Sequence, residues 1–503
     1  MPSRRPTSRV RWRPWTLAAA AGASLALALP GLHWWPLALL MPGLLLAAIE
    51  GAGIRRAALV AWFGGIVHWS LTVGWVTSVL HVYGGMSWAT SAGSVVLMAV
   101  ILGAGWAVAA AVTAAVPARW RPWMLPAAWV AMEAGWRYQP WRFPWNPVAA
   151  TMTAWPPLIG SLPVWGAAGL GWAVLALGAG LATLLSGRDR RVGSALVAVS
   201  VLGLMVASVV APPPASGGAT VTVAMIQPGT SQSERWDPST WRETSERVFD
   251  LTADAAAAGA ELVLWPEGAV AYRLETDAVY AERVTRLASA LGVEIVLNSI
   301  GATADGGYAN SAYLVTAAGV SPVRYDKVKL VPFGEYVPRW ASVLFSDSLV
   351  REVGQFEPGA GPVTLPARVP LAVAICYEVV FPDLIAAQVR DGAGVLVTLT
   401  NDGWYGDSWA PRQHWAQAVL RAVETRRWLV RAALSGISGA IDPRGGVHGR
   451  MGVGESGISI VEVRALGGLT PRVRWGDWWT VLCVVVAGLL LVAGNIRGRR
   501  SVW

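Results

Sequence analysis

The chain has 503 residues, of which 54% are hydrophobic and only 14% charged, and its mean hydropathy is +0.45. Soluble globular proteins contain about 25% charged residues, so this composition excludes a wholly soluble protein. All but four of the 31 acidic residues lie between residues 219 and 476, which predicts one soluble domain inserted into a membrane portion. The formal net charge of +9 comes from scattered basic residues without a dense block, and this argues against a nucleic-acid-binding protein.

In chain order, the apolar stretches predict eight membrane spans, because a spanning helix needs about 20 mostly apolar residues. Pro30-Gly31 divides the first uncharged stretch into two short helices in a tight hairpin, and Glu133 lies in a short fifth span. The predicted segments are 15–49 (two spans), 57–80, 88–116, 123–136, 164–185, 192–211 and 478–496. The predicted order is a cytoplasmic tail (1–14), a seven-span membrane domain (15–212), the soluble domain (219–470), a last span (478–496) and a cytoplasmic tail (497–503).

The arginines predict the orientation of these spans. With the N-terminus inside, most arginines outside the soluble domain fall in cytoplasmic segments, and the short outside loops contain only Arg137 and Arg142. This distribution follows the positive-inside rule and places the soluble domain outside the cytoplasm. The alternative for the N-terminus is a signal peptide cleaved before Pro30, which would leave the remaining orientation unchanged.

The soluble domain alternates short β-rich runs with helical stretches, which predicts a layered α/β fold. The predicted strands are 221–226, 261–265, 293–298, 371–375 and 395–399, and the predicted helices are 240–258, 277–291, 381–390 and 411–427. Loops at the carboxyl ends of strands carry the chemistry in such folds.

Three candidate catalytic residues are Glu267, Lys327 and Cys376; Cys376 directly follows a predicted strand, and Glu267 follows one through Pro266. A thiol needs a base or a positive field to become a strong nucleophile, which a carboxylate and an ammonium group supply. Each residue also has a simpler interpretation: a buried apolar cysteine, an exposed turn glutamate and a solvated lysine. Cys483 lies in an apolar run, so no disulfide framework is expected.

Longer strings favour the catalytic interpretation. Leu264-Trp265-Pro266-Glu267, the segment from Lys327 to Glu335 and Ile375-Cys376-Tyr377-Glu378 resemble the nitrilase (carbon–nitrogen hydrolase) superfamily in order and separation. The segment from Asn401 to Ser408, Gln413-His414, Arg421 to Glu424 and Arg431-Ala432 resemble the apolipoprotein N-acyltransferase family within it. The seven-plus-one span layout is also similar to that family, so the resemblance covers essentially the whole chain.

The resemblance implies an αββα sandwich whose catalytic residues are Glu267 as general base, Lys327 as oxyanion-stabilising cation and Cys376 as nucleophile. It also implies supporting roles for Glu335, Glu378 and Tyr377. Substrate-binding residues implied by the match are Trp236, Asn310, Trp145 and Trp404. Trp145 lies in Phe143-Pro144-Trp145-Asn146, where Arg142 replaces a family glycine; an interfacial aromatic belt is the alternative for this segment.

The activity that the resemblance implies is transfer of an acyl chain from a membrane phospholipid, expected to be phosphatidylethanolamine, to the N-terminal amine of a diacylglyceryl-cysteine apolipoprotein. The implied location is the bacterial inner membrane, with the catalytic domain on the periplasmic side. No metal-ligand spacing and no phosphate-cradling glycine loop is found, so no cofactor is expected.

Three alternatives compete with this interpretation. A membrane-tethered nitrilase-type amidase would hydrolyse a small amide, a transporter would use the soluble domain only to bind, and a lipoprotein-binding scaffold would not depend on Cys376.

A structural hydrogen bond is favoured for His414 over a Cys–His dyad. The apolar segment 340–349 predicts either a lid that touches the bilayer or ordinary core packing.

Overall fold

The chain folds into two compact units in a computed structural model, which describes residues 8–138, 142–215, 217–337 and 356–500. The first unit is helical and contains the described residues up to Tyr138, residues 144–211 and those from Asp477 onward. The second unit contains Arg142, Phe143 and the described residues from Pro212 to Gly476. The predicted segment 340–349 lies outside the described residues.

The helical unit is built from apolar helices that pack on one another. Its helices are α1 (Ser8–Ala28), α2 (Leu37–Ala48), α3 (Ile54–Thr72), α4 (Val76–Val82), α5 (Trp88–Ala114), α6 (Arg121–Gly135), α7 (Leu162–Leu185), α8 (Arg190–Val210) and, after the second unit, α15 (Trp478–Arg500). Close packing depends on glycine, since a Cβ at Gly65 would lie 2.9 Å from the Gly103 backbone, where α3 meets α5. Inside α7, Gly166 has a φ of 66°, a conformation that glycine adopts without steric cost.

Two predicted helices differ from the structure. The stretch 57–80 is not one helix, because α3 ends at Thr72 and α4 begins at Val76, with a bend of 55° between them. Gly74 lies in this break, and glycine is about 1 kcal/mol less favourable than alanine in a helix interior. At the N-terminus, α1 begins at Ser8, inside the predicted tail, and has 21 residues, so the first helix is not short.

The described helices support a membrane protein. Three of them, α5, α7 and α8, are long and apolar enough to cross a membrane, and the bent pair α3–α4 makes a fourth if it counts as one span. The apolar segments Leu37–Ala48 and Trp478–Gly494 are shorter. The total of eight spans and the orientation therefore stay predictions.

The second unit is an αββα sandwich of two six-stranded sheets. The first sheet has the order β12-β1-β2-β3-β4-β5 and the second β11-β10-β9-β8-β7-β6. The strands are β1 (Thr220–Gln227), β2 (Leu262–Leu264), β3 (Glu294–Ala302), β4 (Tyr308–Thr316), β5 (Gly319–Asp326), β6 (Thr364–Pro366), β7 (Pro370–Ile375), β8 (Val395–Thr400), β9 (Trp428–Ala433), β10 (Ser438–Ile441), β11 (Val447–Met451) and β12 (Gly457–Arg464). All five predicted strands and the layered α/β class are confirmed.

One apolar core lies between the sheets and combines Val223 and Leu264 of the first sheet with Val373, Val397 and Val430 of the second. The helices of the unit are α9 (Gln232–Trp236), α10 (Trp241–Ala257), α11 (Ala278–Leu291), α12 (Pro382–Arg390), α13 (Ala410–Thr425) and α14 (Pro471–Trp475). Helices α10 and α11 pack on the outer face of the first sheet, where Phe249 and Val284 enter a second core. Helices α12 and α13 pack on the second sheet.

The strands at the middle of each sheet run parallel. β1, β2 and β3 are parallel neighbours in the first sheet, as are β7, β8 and β9 in the second. Their carboxyl ends lead directly into the segments that carry Glu267, Cys376 and Asn401. The sandwich thus brings carboxyl ends of strands from both sheets close together, and this arrangement positions the candidate site.

Candidate active site

The structure brings Glu267, Lys327 and Cys376 together. Glu267 follows β2 through Trp265-Pro266, Lys327 directly follows β5, and Cys376 directly follows β7. The Cys376 thiol lies within electrostatic range of the Glu267 carboxylate and of the Lys327 ammonium group, which are themselves paired with each other. A carboxylate, a cation and a thiol therefore converge from two sheets.

Lys327 is a buried cation held by two carboxylates. Its side chain is 1% exposed, and Nζ lies 2.8 Å from Glu335 Oε1 and 3.4 Å from Glu267 Oε1. Burial alone would lower the pKa of Lys327, but Glu335 and Glu267 outweigh burial and raise it above its ordinary value. The ammonium group therefore stays charged, and its position is fixed because a buried charge requires close partners.

Glu267 is oriented by donors on both oxygens. Asn310 Nδ2 donates to Oε1 at 2.9 Å, and the backbone N–H of Asn401 donates to Oε2 at 3.1 Å. Burial opposes ionisation, but Lys327, Asn310 and Arg235 outweigh it and lower the pKa of Glu267. The carboxylate is thus available as a base at neutral pH.

Asn310, predicted as a substrate-binding residue, lies between the two carboxylates. Its Nδ2 atom also donates to Glu335 Oε1 at 2.8 Å, and its Oδ1 atom accepts a hydrogen bond from Asn298 at 2.6 Å. The side chain amide thus ties Glu267 and Glu335 at a fixed separation. This geometry gives Asn310 a positioning role for the carboxylates that bind Lys327.

Cys376 occupies a strained turn at the end of β7. Its φ is 51°, a region that costs a non-glycine residue about 1–3 kcal/mol. Burial and the nearby negative charge of Glu267 raise the pKa of the thiol well above its ordinary value, although Lys327 opposes them. The resting site therefore contains a neutral thiol beside an ionised carboxylate and a fixed ammonium group, which is a suitable arrangement for acyl transfer.

Glu378 joins the segment that carries Lys327 to the strand that carries Cys376. Its Oε1 atom accepts hydrogen bonds from Tyr325 Oη and the N–H groups of Val328 and Lys329, and its Oε2 atom accepts one from the N–H of Ile375. Burial raises the pKa of Glu378 to about 7, against the effect of these donors. Glu378 thus binds the backbone next to Lys327 and Cys376, whereas Glu335 binds the Lys327 ammonium group directly.

The aromatic candidates are distributed over both units. Tyr377 Oη donates to the Arg142 carbonyl at 2.8 Å, and its ring stacks on Phe143 with centroids 6.4 Å apart. Trp236 is 49% exposed and meets Trp404 edge to face at 5.3 Å. Trp145 is buried in the helical unit, where its ring lies 5.9 Å from Trp75.

A buried group of polar residues beside Cys376 was not predicted from the sequence. His414 Nε2 lies 3.0 Å from the Cys376 carbonyl oxygen, and His414 Nδ1 lies 3.0 Å from Asp402 Oδ1. Arg431 and Thr400 also bind Asp402, at 2.7 and 3.0 Å. These residues lie in or beside the strings singled out for the resemblance, but their spacing gave no sign that they meet at one point. The expected structural hydrogen bond of His414 is present.

The carbon–nitrogen hydrolase family profile matches residues 222–472, and that of the apolipoprotein N-acyltransferase N-terminal domain matches residues 21–180. A protein named apolipoprotein N-acyltransferase from Geobacter metallireducens is 33% identical to this chain, covering 97% of this chain and 96% of its own length. One of the same name from Methylococcus capsulatus is 32% identical, covering 96% and 98%. Among solved structures, an amidase from Nesterenkonia sp. covers 50% of this chain and 93% of its own, at 23% identity and a TM-score of 0.39, a likeness too low to carry an argument about function.

The two profiles match parts of both units, and the similarity to the named relatives extends over nearly the whole chain at more than 30% identity. The αββα sandwich and the apolar helices agree with this match. The chain therefore belongs to the apolipoprotein N-acyltransferase family, with a carbon–nitrogen hydrolase domain between its helical segments.

Proposed function

We propose that this enzyme transfers a fatty acyl chain from a membrane phospholipid, through a thioester on Cys376, to the N-terminal amine of diacylglyceryl-cysteine in apolipoproteins. Family membership supports the overall acyl transfer to lipoproteins. The observation that carries the mechanism is the position of the buried Cys376 thiol, within electrostatic range of the Glu267 carboxylate and of the Lys327 ammonium group that is paired with it. This arrangement contains a nucleophile, a base and a fixed positive charge, and it needs no histidine in the reaction.

In the first half-reaction, Glu267 accepts the thiol proton while the Cys376 sulfur attacks the ester carbonyl carbon of the phospholipid. Lys327 stabilises the oxyanion of the tetrahedral intermediate, since its charge is already in place and needs no reorganisation. The intermediate collapses by breaking the carbon–oxygen ester bond, and the protonated Glu267 returns the proton to the departing alkoxide. The products are a lysophospholipid and an S-acyl cysteine.

In the second half-reaction, the neutral α-amine of the lipoprotein attacks the thioester carbonyl carbon. Lys327 again stabilises the oxyanion, and Glu267 accepts a proton from the attacking nitrogen. The carbon–sulfur bond then breaks, and the proton passes from Glu267 to the Cys376 sulfur. An amide is formed and the resting thiol is restored, so one base serves both halves of a ping-pong cycle.

The raised pKa of the Cys376 thiol makes thiolate formation uphill in the resting site. Proton transfer to Glu267 is therefore coupled to attack on the ester, because a free thiolate would be only a minor species. Glu335 supports both steps by its 2.8 Å contact with Lys327 Nζ, which keeps the cation in place when the Glu267 carboxylate becomes neutral. Two carboxylates on one lysine thus prevent loss of its position during the cycle.

We further propose the finer arrangement that the sequence predicted: eight spans in the bacterial inner membrane, with the α/β unit on the periplasmic side. The arginine distribution and the apolar helices support this arrangement. The exposed Trp236, with Trp404 beside it, is a candidate contact for acyl chains, and Trp145 for the interfacial region. Phosphatidylethanolamine is the proposed donor.

The test is intact-mass analysis of the purified enzyme after incubation with phosphatidylethanolamine. Wild type should gain one acyl-sized adduct that hydroxylamine removes, and Cys376→Ala should gain none. Cys483→Ala, which removes the other free thiol, is the matched control and should behave as wild type. Adding a diacylglyceryl-cysteine peptide should discharge the adduct and acylate the peptide amine.

The same experiment separates the amidase alternative. An amidase would form no adduct with phospholipid and would release ammonia from a small amide. Absence of the adduct on folded wild type would overturn the phospholipid-donor step. An adduct with phosphatidylglycerol but not with phosphatidylethanolamine would change only the head-group assignment.

A further inference from the structure

Four buried polar residues that take no part in the mechanism above form a connected group beside the Cys376 turn. Thr400 ends β8, Asp402 follows it, His414 lies on α13 and Arg431 lies on β9. All four are at most 1% exposed. We call them the cysteine-support cluster.

The cluster contacts Cys376 through His414, whose Nε2 atom lies 3.0 Å from the Cys376 carbonyl oxygen. Thr400 donates to Asp402 Oδ1 at 3.0 Å, and His414 Nδ1 lies 3.0 Å from the same oxygen. The backbone of the nucleophile is therefore connected to a buried polar network.

Hydrogen-bond chemistry assigns the proton on His414. A carbonyl oxygen can only accept, so Nε2 must donate to Cys376. A guanidinium group can only donate, and Arg431 Nη2 lies 3.0 Å from Nδ1, so the neutral Nε2–H tautomer has a partner on each nitrogen. Arg431 is itself fixed by Asp402 at 2.7 Å and by the Ile437 carbonyl at 3.1 Å. The donor directed at Cys376 is thus held by a rigid support.

This contact falls on a strained peptide. Cys376 has a φ of 51°, which a cysteine adopts only where its surroundings enforce it. Because a peptide is planar, fixing the Cys376 carbonyl also fixes the direction of the Tyr377 N–H. Small displacements of a nucleophile are costly, since a shift of about 1 Å can reduce a rate by roughly 10²-fold.

We propose that His414, fixed by Arg431, which Asp402 holds in turn, is a positioning residue that holds the strained Cys376 turn in its reactive geometry. This inference rests on the proposed role of Cys376 as nucleophile. His414 takes no proton from the thiol, because its donor nitrogen is directed at the backbone oxygen. It acts through Cys376 and does not contact the reacting carbonyl.

The test compares three replacements of His414 in the full-length enzyme. In His414→Gln the amide nitrogen can occupy the position of Nε2 and donate to Cys376. In His414→Asn the shorter amide reaches only the region of Nδ1, and His414→Leu has no donor. We expect the rate of Cys376 acylation by phosphatidylethanolamine to fall about 10²-fold in the Asn and Leu variants and less than about 10-fold in the Gln variant. The lipid concentration for half-maximal rate should stay unchanged in all three.

The matched controls are the same three replacements at His448, the other histidine of this unit, whose side chain is 45% exposed and bonded to Asp442. They should leave the acylation rate unchanged. If His414→Leu fails to fold, the Gln and Asn variants still decide the question, because both are polar and folding can be compared by thermal unfolding.

Alkylation of Cys376 by iodoacetamide separates this inference from the proposed function. If wild type forms no acyl adduct, the donor claim fails, yet alkylation should still be slower in His414→Asn than in His414→Gln. Equal acylation and alkylation rates in the Gln and Asn variants, both folded, would overturn the positioning role.

Discussion

The helical unit and the α/β unit place charged and apolar side chains in opposite environments. The helical unit exposes large apolar residues such as Leu185, Leu202 and Val209, which are 90%, 59% and 83% exposed. The α/β unit buries charges, among them Lys327, Asp402 and Arg431. A helix that exposes apolar side chains needs a hydrocarbon solvent, and a buried charge needs partners. The difference shows that one chain leaves large apolar side chains at the surface of its helical unit and encloses charged side chains, held by close partners, inside its α/β unit.

The largest effect should come from removing the buried cation. Lys327→Met leaves Glu267 and Glu335 without their shared partner and removes the charge that stabilises the oxyanion. We expect the rate of Cys376 acylation to fall by at least about 10³-fold. Lys329→Met is the matched control, since it replaces the only other lysine, whose half-buried side chain lies over the Phe381 ring. That variant should lose less than about 10-fold, and equal losses in the two variants would show that burial of Lys327 has no special role.

A second experiment tests whether the surface of each unit faces lipid or water, by introducing one arginine into each unit. Leu202→Arg on α8 and Val279→Arg on α11 both replace an exposed apolar residue with a charge. In a lipid-facing helix the arginine should cost about 2.5–3.5 kcal/mol of insertion free energy. On a water-facing helix the change in unfolding free energy should stay within about 0.5 kcal/mol. Membrane insertion assays measure the change in insertion free energy, and thermal unfolding in detergent measures the change in unfolding free energy. Similar small effects in both variants would argue against a lipid-facing α8.

The pH dependence of stability should identify a buried charge in the α/β unit. Burial alone would raise the pKa of Asp402, but the charge of Arg431 outweighs burial and holds the pKa well below its ordinary value. A carboxyl with a lowered folded-state pKa stabilises the protein above its unfolded pKa, and this contribution disappears as the pH falls through the folded-state value. Asp402→Asn should lower the thermal midpoint at pH 7 and make it less dependent on pH below about 4. Parallel curves for wild type and variant would contradict this.

The smallest effect is expected for an ion pair on the surface of the same unit. Arg283 and Glu246 are bonded to each other between α11 and α10, with side chains 47% and 40% exposed. Solvent screens such pairs, so Glu246→Gln should change the unfolding free energy by less than about 1 kcal/mol. Thermal unfolding of the Glu246→Gln and Asp402→Asn variants, measured under the same conditions, compares the two losses of stability. An equal loss in both variants would mean that burial does not decide the strength of these charges.

The elements with strong local patterns were predicted from the sequence. Uniform apolar runs indicated α5, α7 and α8, and the buried strands β1, β3, β7 and β8 were predicted because parallel strands covered on both faces are continuously apolar. Seven strands were not predicted, including β11, whose residues are mostly exposed, and β10, which contains Gly439. The break at Gly74 was also missed, since a single glycine within an apolar run does not determine whether a helix bends.

In the candidate site, too, some features were predictable from the sequence and others were decided only by the tertiary structure. Sequence by itself singled out Glu267, Lys327 and Cys376 as catalytic candidates, because they lie in extended strings whose order and content are specific. It also determined that the chain joins a soluble domain to a membrane portion, since composition changes sharply at residues 219 and 476. Only the tertiary structure decided what Asn310, Glu378 and His414 do. Their partners come from distant strands on two sheets, and hydrogen bonds between groups far apart in sequence leave no local pattern that spacing or hydropathy could reveal.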